Sequence, residues 1–235
     1  MPAQTLSELL EERFVECRDM DGSLGERLQA FADAVRDMGE VFQFSVDKLV
    51  ARLRDHEVGE HAPKAGDPMP NFVLPDERGH LVNLEEMLKS GPVAVVFHRG
   101  HWCPYCRINT KALAETQDQV AALGGQIAAI MPDRQQYTSE LRESSRAQFP
   151  ILTDFDNGYA MSLNLAFWVG ADMQHMMCEA GWDVAPSQGS DTWLLPIPAT
   201  FVVGMDGVVT SRFVDPDYRK RMAVEDLLLA LQESR

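Results

Sequence analysis

Two cysteines, Cys103 and Cys106, are the residues of this sequence best suited to chemistry. They bound the segment CPYC, which directly follows the apolar run Val93 to Phe97 and precedes a helical pattern. This order places Cys103 at a helix N-terminus, where unpaired backbone N–H groups stabilise a thiolate, so we expect its pKa to fall. Cys106 lies one helical turn further, close enough to attack an adduct on the Cys103 sulfur and form an intramolecular disulfide.

A metal site is the main alternative to redox chemistry at this pair. His98 and His101 add ligand types that zinc accepts. Structural zinc sites usually draw on two separate knuckles, however, and the sequence offers one. A third alternative is that the two cysteines are simply buried. This alternative does not explain why CPYC lies between a buried strand and the start of a helix. We therefore predict a redox pair with no metal and no other cofactor.

The composition is that of a globular protein and narrows the range of partners. Of the 235 residues, 45% are hydrophobic and 24% are charged, and four cysteines are too few for a disulfide scaffold. The 21 basic and 36 acidic residues leave a formal charge of −15, which disfavours nucleic acid and anionic membrane surfaces as partners. No stretch has the pattern of a membrane span or a signal peptide, so we expect a soluble, cytoplasmic protein with reduced thiols.

Two regions with different patterns of apolar residues must position the cysteine pair. Residues 1–62 carry apolar side chains at helical spacing and predict an all-helical N-terminal extension, with Ser23 and Glu26 forming a capping box. Residues 63–235 alternate short apolar runs with helical patterns, which predicts an α/β domain interrupted by an insertion at about 170–194. Besides the run before CPYC, the predicted strands include Phe72–Leu74, Gln126–Met131, Ala199–Val203 and Val208–Phe213, and the predicted helices are Cys103–Leu123, Tyr137–Gln148 and Ala223–Leu231.

A second signal lies late in the same domain. The segment Pro196 to Phe201 reads PIPATF and begins a predicted strand, where proline is tolerated as the first strand residue or after a cis peptide bond. An Ile-Pro pair alone indicates little. Together with a CxxC about 95 residues upstream, Pro198 is one of the two landmarks of a single fold.

Three stretches of the domain carry a family resemblance. They are GDxxPxFxL from Gly66 to Leu74, VVFxRGxWCPYC from Val95 to Cys106, and PATFVV from Pro198 to Val203 with Asp206-Gly207 beyond it. From Gly66 to the C-terminus the chain resembles the peroxiredoxin-like proteins of the AhpC/TSA family (alkyl hydroperoxide reductase and thiol-specific antioxidant). The resemblance implies a thioredoxin-like fold of peroxiredoxin type, with a central mixed sheet flanked by helices. The ending VDPDY, Val214 to Tyr218, is similar to that of the subgroup that combines CPYC with a helical N-terminal extension.

The resemblance also implies a reaction. Cys103 attacks a peroxide and becomes a sulfenic acid, Cys106 condenses with it to form a disulfide, and thioredoxin, glutaredoxin or glutathione reduces that disulfide. Arg99, Trp102 and Pro198 are the predicted substrate-binding residues. Arg99 is the candidate to stabilise both the thiolate and the negative charge on the leaving oxygen.

A second hypothesis uses the same dithiol. Typical family members carry Pro and Thr ahead of the peroxidatic cysteine, where this chain has Val96 and Gly100. Pro198 stands where thioredoxins and glutaredoxins have a cis-proline that faces the CxxC. The alternative function is therefore a thiol-disulfide oxidoreductase of thioredoxin or glutaredoxin type, in which Cys103 attacks a substrate disulfide.

Each of the remaining candidate residues has a structural interpretation as well as a functional one. The insertion carries Met173, Met177 and Trp182, which predict either an apolar wall or lid over the site or ordinary core packing. Cys17 continues an apolar helix face and is predicted to be a packed thiol, and Cys178 is a weak candidate for a distal resolving cysteine. A homodimer through the amphipathic N-terminal helices is a further expectation.

Overall fold

The computed structural model describes residues 5–234, apart from the side chains of residues 40–42. It begins with three helices: α1 (Leu6–Asp19), α2 (Leu24–Asp37) and α3 (Glu40–Asp55). The predicted capping box of Ser23 and Glu26 is present at the start of α2, and Thr5 with Glu8 forms another at the start of α1. Each box satisfies backbone N–H groups that have no partner inside the first helical turn.

A five-stranded mixed sheet forms the centre of the molecule, and two strand pairs lie outside it. The strands are β1 (Val73–Pro75), β2 (Leu81–Asn83), β3 (Val93–Phe97), β4 (Gln126–Met131), β5 (Ile151–Thr153), β6 (Ala166–Trp168), β7 (Leu194–Pro196), β8 (Ala199–Val203) and β9 (Val209–Val214). The central order is β5-β4-β3-β8-β9, while β1 pairs with β2 and β6 with β7. Val95 faces Ala128 across a parallel ladder and Phe201 across an antiparallel one.

The helices that follow α3 flank this sheet or cover one end of it. They are α4 (Leu84–Leu88), α5 (Pro104–Ala122), α6 (Gln135–Ser145), α7 (Gly158–Ser162), α8 (Ala171–Glu179), α9 (Ala185–Gln188) and α10 (Val224–Glu233). Strand β3 is buried along its whole length, which explains why its sequence is apolar without alternation. Its Ala94 and Val96 join the apolar layer with α6 and α10, whereas Val95 and Phe97 join the layer that continues into α1–α3.

The N-terminal helices pack onto α5 of the same chain. Phe14 and Phe31 are fully buried in the larger apolar cluster. Arg107 on α5 makes two hydrogen bonds to the Glu11 carboxylate, at 2.7 and 2.9 Å, and its guanidinium lies 3.8 Å from the centre of the Phe14 ring. The apolar faces of these helices are thus covered within one chain; a homodimer, and the division into residues 1–62 and 63–235, stay predictions.

The insertion leaves and re-enters the domain through the β6–β7 pair, and its two helices are α8 and α9. Arg52 on α3 anchors it by donating to the carbonyl oxygens of Trp168 and Val169, at 2.7 and 2.8 Å. The insertion therefore contacts the N-terminal helices as well as the domain. Within residues 5–234, no helix combines the length and apolar character that a membrane crossing requires.

Candidate active site

The CPYC segment forms the first turn of α5. Cys103 is the N-cap residue in an extended conformation, and Pro104 occupies the first helical position, where its missing N–H costs no hydrogen bond. Both Cys103 and Cys106 are reduced and buried, with 1% and 0% of their surfaces exposed. The sequence correctly predicted this placement at a helix N-terminus, directly beyond β3.

Two arginines from different parts of the chain meet the sulfurs. Arg99 Nη1 lies 4.0 Å from Cys103 Sγ, and the Arg99 backbone N–H donates to Cys106 Sγ at 3.3 Å. Arg221, in the segment between β9 and α10, donates from Nη2 to Cys106 Sγ at 3.2 Å. Its Nη1 donates to the carbonyl oxygens of Tyr218 and Lys220, both at 2.7 Å, which fixes its direction. Sequence reasoning identified Arg99 and missed Arg221.

Aromatic rings hold the Arg99 side chain in place. Its guanidinium lies 3.9 Å from the centre of the Tyr218 ring and 5.1 Å from that of Trp102. These cation–π contacts stabilise a buried cation without a carboxylate. Trp102, predicted to bind substrate, therefore positions Arg99 directly.

Gly100 occupies the position at which typical family members carry threonine, and the structure gives a steric reason for the difference. A Cβ at this position would lie 2.3 Å from Trp102 Nε1 and 3.0 Å from Asp133 Oδ2. The backbone φ of 153° is also one that side-chain-bearing residues rarely adopt. The Trp102 indole thus fills the space that a threonine hydroxyl would need.

The two thiols differ sharply in acidity. Burial raises the pKa of Cys103 well above its usual value, the Cys106 sulfur adds to this, and Arg99 and Arg221 offset it only in part. Burial also opposes ionisation of Cys106, but the hydrogen bond from Cys103 and the Arg221 guanidinium outweigh it and hold the pKa of Cys106 well below its usual range. The expectation that the pKa of Cys103 falls is therefore wrong. Its side chain makes no capping hydrogen bond to the α5 amides, whereas Cys106 meets two protein donors besides Cys103.

His98 is buried and neutral beside the pair. The Thr110 hydroxyl donates to the Cys106 carbonyl oxygen at 2.9 Å, so it accepts from His98 Nδ1–H at 3.3 Å. The Asn109 amide donates to His98 Nε2 at 3.1 Å. Burial lowers the pKa of His98 to about 4. His98 consequently adds no positive charge beside the sulfurs at neutral pH.

His101 is likewise engaged away from the sulfurs. Its Nδ1 lies 2.8 Å from Asp133 Oδ2, and its ring stacks on Tyr137 with 4.3 Å between ring centres. Both histidines considered for zinc binding thus have other partners. In the described part of the chain, no group of three or more His, Cys, Asp or Glu side chains is arranged to hold a metal ion.

A small cavity of about 20 Å³ lies against Cys103. Its wall includes Phe31 and Val35 of α2, Met173 and Met177 of α8, and Trp102, Tyr105, Trp182 and Tyr218. The insertion therefore supplies an apolar wall beside Cys103, one of the two interpretations of its sequence; Met173 and Met177 also belong to the larger apolar cluster, which agrees with the other. The contribution of α2 was not predicted, because helical periodicity shows which face is buried but not what it is buried against.

Pro198 and the other two cysteines lie outside this arrangement. No peptide bond in residues 5–234 is cis, so the cis-proline considered for Pro198 is absent. Pro198 is buried just before β8, whose Ala199 pairs with Phe97, and it does not line the cavity. Cys17 is the packed thiol that was predicted, with a pKa raised by burial, and Cys178 is exposed on α8.

A dithiol at the start of a helix, directly after the central strand of this mixed sheet, is typical of redox proteins with the thioredoxin fold. The family model described as AhpC/TSA matches residues 65–212. The chain belongs to the AhpC/TSA family.

Individual relatives agree with this assignment. Peroxiredoxin Bcp of Escherichia coli K12 is 31% identical over 94 residues, a match that covers 40% of this chain and 60% of the relative's length. The crystal structure of peroxidoxin BcpB from Mycobacterium tuberculosis superposes with a TM-score of 0.57 at 21% identity, covering 74% of this chain and 99% of that one. Reduced Prx3 from Vibrio vulnificus, in complex with hydrogen peroxide, also gives 0.57 at 19% identity, over 72% and 98% of the two chains. These structures share the peroxiredoxin-type thioredoxin fold; membership of a CPYC subgroup stays a prediction.

Proposed function

We propose that this protein is a thiol-dependent peroxidase that reduces hydrogen peroxide or organic hydroperoxides. The observation that carries the proposal is the small apolar cavity against Cys103, with the Arg99 guanidinium 4.0 Å from the sulfur. Family membership and the relatives named peroxiredoxin support the same chemistry. Cys103 is the peroxidatic cysteine, and Cys106 resolves its sulfenic acid as an intramolecular disulfide.

The cavity size bears on the substrate. A volume of about 20 Å³ accommodates roughly one water-sized molecule, so hydrogen peroxide, with one oxygen atom more than water, requires a smaller expansion of the cavity than any organic hydroperoxide. A larger hydroperoxide needs α2 and α8 to separate. Met173 lines both this cavity and a surface groove between α3 and α8, so movement of its side chain would open a route from solvent.

Arg99 supports the chemistry by its charge. As the O–O bond breaks, negative charge develops on the leaving oxygen, and a preorganised cation in a dry site stabilises it. Arg99 Nε is buried and has no hydrogen-bond partner in the described part of the chain, so a donor remains free for a ligand. Trp102 and Tyr218 hold the guanidinium in position.

The disulfide must be reduced by an external thiol, for which thioredoxin, glutaredoxin and glutathione are the proposed classes. All three belong to a reducing compartment, which fits the expected cytoplasmic location. Because both sulfurs are buried, each reductant requires the same displacement of α2 and α8. The alternative function, disulfide exchange with protein substrates, uses the same dithiol and requires the same displacement of α2 and α8.

Single-turnover oxidation tests the proposal. Fully reduced protein is mixed with hydrogen peroxide or cumene hydroperoxide while tryptophan fluorescence follows Trp102 beside the sulfur. We expect oxidation orders of magnitude faster than that of a free thiol, its loss in Cys103→Ser, and one trapped sulfenate per chain in Cys106→Ser. Cys178→Ser, at an exposed position, is the matched control. Turnover that persists in Cys103→Ser refutes the proposal.

A further inference from the structure

The wall of the cavity against Cys103 contains two buried hydrogen-bond donors that have no partner. Among the described residues, six buried side-chain nitrogen or oxygen atoms lack a hydrogen bond, and two of them belong to this wall: Arg99 Nε and Trp102 Nε1. Trp102 is only 9% exposed. An unpaired buried donor destabilises the fold, and a ligand that brings an acceptor removes this cost. The donor on Trp102 therefore calls for an acceptor that the described side chains do not supply.

The indole N–H lies beside Gly100, just before the reactive segment. A Cβ on Gly100 would lie 2.3 Å from Trp102 Nε1 and 2.8 Å from Trp102 Cδ1. The threonine that typical family members carry at this position would begin at that Cβ and place its hydroxyl in the same space. This chain thus presents an N–H where a typical member presents an O–H. Both groups donate hydrogen bonds, but the indole nitrogen cannot accept one.

Arg99 connects this donor to the reacting sulfur. Its Nη1 lies 4.0 Å from Cys103 Sγ, and its guanidinium carbon lies 5.1 Å from the centre of the Trp102 ring. A cation over an indole polarises the ring, which makes the N–H a stronger donor. The sulfur, the guanidinium and the indole belong to residues that line one space of about 20 Å³. A small ligand held against Cys103 therefore lies next to both donors.

We propose that Trp102 Nε1 donates a hydrogen bond to the leaving oxygen of the peroxide that binds against Cys103. Trp102 is then a catalytic residue as well as the residue that positions Arg99. The ligand class is a hydroperoxide, ROOH, in which R is hydrogen or an organic group. This assignment rests on the proposed peroxidase function and adds a donor to it that does not depend on a threonine.

The donor acts where charge develops during the reaction. Cys103 loses its proton to solvent, and its sulfur attacks the terminal oxygen of ROOH. An S–O bond forms as the O–O bond breaks, and the electron pair of the broken bond stays on the leaving oxygen as RO⁻. This anion takes a proton from solvent and departs as ROH, so the sulfur is oxidised by two electrons and the peroxide is reduced by two. An N–H donor in a dry site stabilises RO⁻ more than it stabilises ROOH, which lowers the barrier.

A hydrogen bond from Trp102 to Asp133 is the structural alternative. Asp133 Oδ1 is also buried without a partner, and its Oδ2 lies 3.0 Å from the same Cβ position on Gly100. Asp133 does not line the cavity, however, and its Oδ2 already accepts from the His101 backbone N–H at 2.7 Å. A bond to Asp133 would support the loop and so affect every reaction of Cys103. A bond to the peroxide affects the reaction with peroxides alone.

Replacing the indole N–H by sulfur tests the assignment. Incorporation of 3-benzothienylalanine at position 102 of the full chain keeps the shape of the ring and its contact with Arg99 but removes the donor. We expect oxidation of Cys103 by hydrogen peroxide to slow by about tenfold or more. The factor should be the same at pH 6 and pH 8, because the donor contacts the peroxide rather than the thiol. Alkylation of Cys103 by iodoacetamide, followed by mass spectrometry, should keep its rate.

The matched control carries the same replacement at Trp168, which is half-exposed on β6 and absent from the cavity wall. It should leave both rates unchanged. Ordinary substitutions give a second test. Trp102→Phe keeps a ring beside Arg99 without an N–H and should also slow the reaction with peroxide. Adding Gly100→Ser to Trp102→Phe places a hydroxyl in the freed space and should restore part of the rate, which a purely structural role of the indole does not predict.

The outcomes separate this assignment from the peroxidase function. If the wild type reacts rapidly with hydrogen peroxide and the sulfur replacement at position 102 does not change the rate, the assignment is overturned and the peroxidase function stands. Equal decreases in the peroxide and iodoacetamide rates overturn the assignment in favour of the contact with Asp133. A wild type that reacts with peroxide no faster than a free thiol refutes the peroxidase function and the assignment together.

Discussion

At the scale of single residues, the site combines groups that are close in sequence with one that is not. Cys103, Cys106 and Arg99 lie within eight positions of one another, and their spacing beside a buried strand was enough to predict their proximity. Arg221 reaches Cys106 across 115 positions, from a segment with no regular structure. No periodicity or motif marks such a residue, because its contact depends on how β9 returns the chain to the site.

The predicted acidity of Cys103 was wrong for the same reason: the contacts of its sulfur depend on packing between distant segments. Position at a helix N-terminus is readable from sequence, and it favours a thiolate. Whether the sulfur meets the helix amides or a buried wall depends on packing. In the structure, burial dominates for Cys103, whereas for Cys106 the hydrogen bond from Cys103 and the Arg221 guanidinium outweigh burial and lower its pKa.

His98 gives a prediction about stability and pH. Its pKa in the folded state, about 4, lies below the usual histidine value of 6.5, so the unfolded chain binds more protons between these values. The stability contributed by neutral His98 is complete above pH 6.5 and is lost as the pH falls toward 4. Between pH 7 and pH 4.5 the loss is about 2 kcal/mol, since one pKa unit corresponds to roughly 1.4 kcal/mol.

Urea unfolding of His98→Gln at both pH values checks this expectation. The variant should show a smaller decrease in unfolding free energy between pH 7 and pH 4.5 than the wild type. His175→Gln, at an exposed histidine on α8, controls for the general titration of carboxylates. Equal decreases in the wild type and in His98→Gln would contradict the prediction.

At the scale of elements, long or strongly patterned segments could be predicted and short ones could not. Strands β4 and β8 were predicted with their observed bounds, because short buried segments rich in apolar residues are distinctive. Strands β5, β6 and β7 have three residues each, too few to show a period. Helix α6 ends at Ser145 rather than at Gln148, because Arg146 adopts a left-handed conformation that closes the helix.

Helix α8 is expected to control access to Cys103. Met177→Ala removes three side-chain heavy atoms from the cavity wall and leaves more space beside the sulfur. The oxidation rate with cumene hydroperoxide should rise several-fold relative to that with hydrogen peroxide, because only the larger substrate is limited by the wall. Stopped-flow fluorescence with both peroxides measures this ratio.

The control for this prediction is Met161→Ala, a methionine that is half-exposed on α7 and absent from the cavity wall. It should leave the ratio unchanged. If Met177→Ala changes both rates equally, the wall does not select between peroxides.

Helix α1 is held mainly by apolar burial rather than by its ion pair. The ion pair between Arg107 and Glu11 is partly exposed, so Glu11→Gln should lower the unfolding free energy by less than ~1 kcal/mol. Phe14 is fully buried, and Phe14→Ala should lower it by ~3 kcal/mol or more. Denaturant unfolding of the two variants measures both values; a larger effect for Glu11→Gln would show that electrostatics dominates the docking of α1.

At the scale of the whole molecule, charge is distributed unevenly between surface and site. The chain carries a formal charge of −15, yet two buried guanidiniums lie beside the cysteine pair. Neither of them forms an ion pair with a carboxylate of the described residues. An acidic surface favours solubility, while a cationic interior stabilises a thiolate and a developing oxyanion. The redox state of the pair should therefore affect the stability of the entire fold.

The reduced protein should be more stable than the oxidised one at neutral pH. Disulfide formation removes the thiolate that compensates Arg221, and breaking a buried charge pair costs roughly 3–5 kcal/mol. Closing the four-residue CPYC loop stabilises the oxidised form by only about 2 kcal/mol. The unfolding free energy of the reduced form should thus exceed that of the oxidised form by on the order of 2 kcal/mol, so the reduced form should unfold at a higher urea concentration. The disulfide should be correspondingly easy to reduce.

Unfolding of both forms by urea at pH 7, followed by circular dichroism, measures this difference. Because the difference arises from the ion pair, Arg221→Met should abolish or invert it, whereas Arg54→Met should not change it. Lowering the pH until Cys106 is protonated should have the same effect as Arg221→Met, since the thiolate is then lost from the reduced form as well. An oxidised wild-type protein that is the more stable form at pH 7 would mean that Arg221 does not compensate a charge on Cys106.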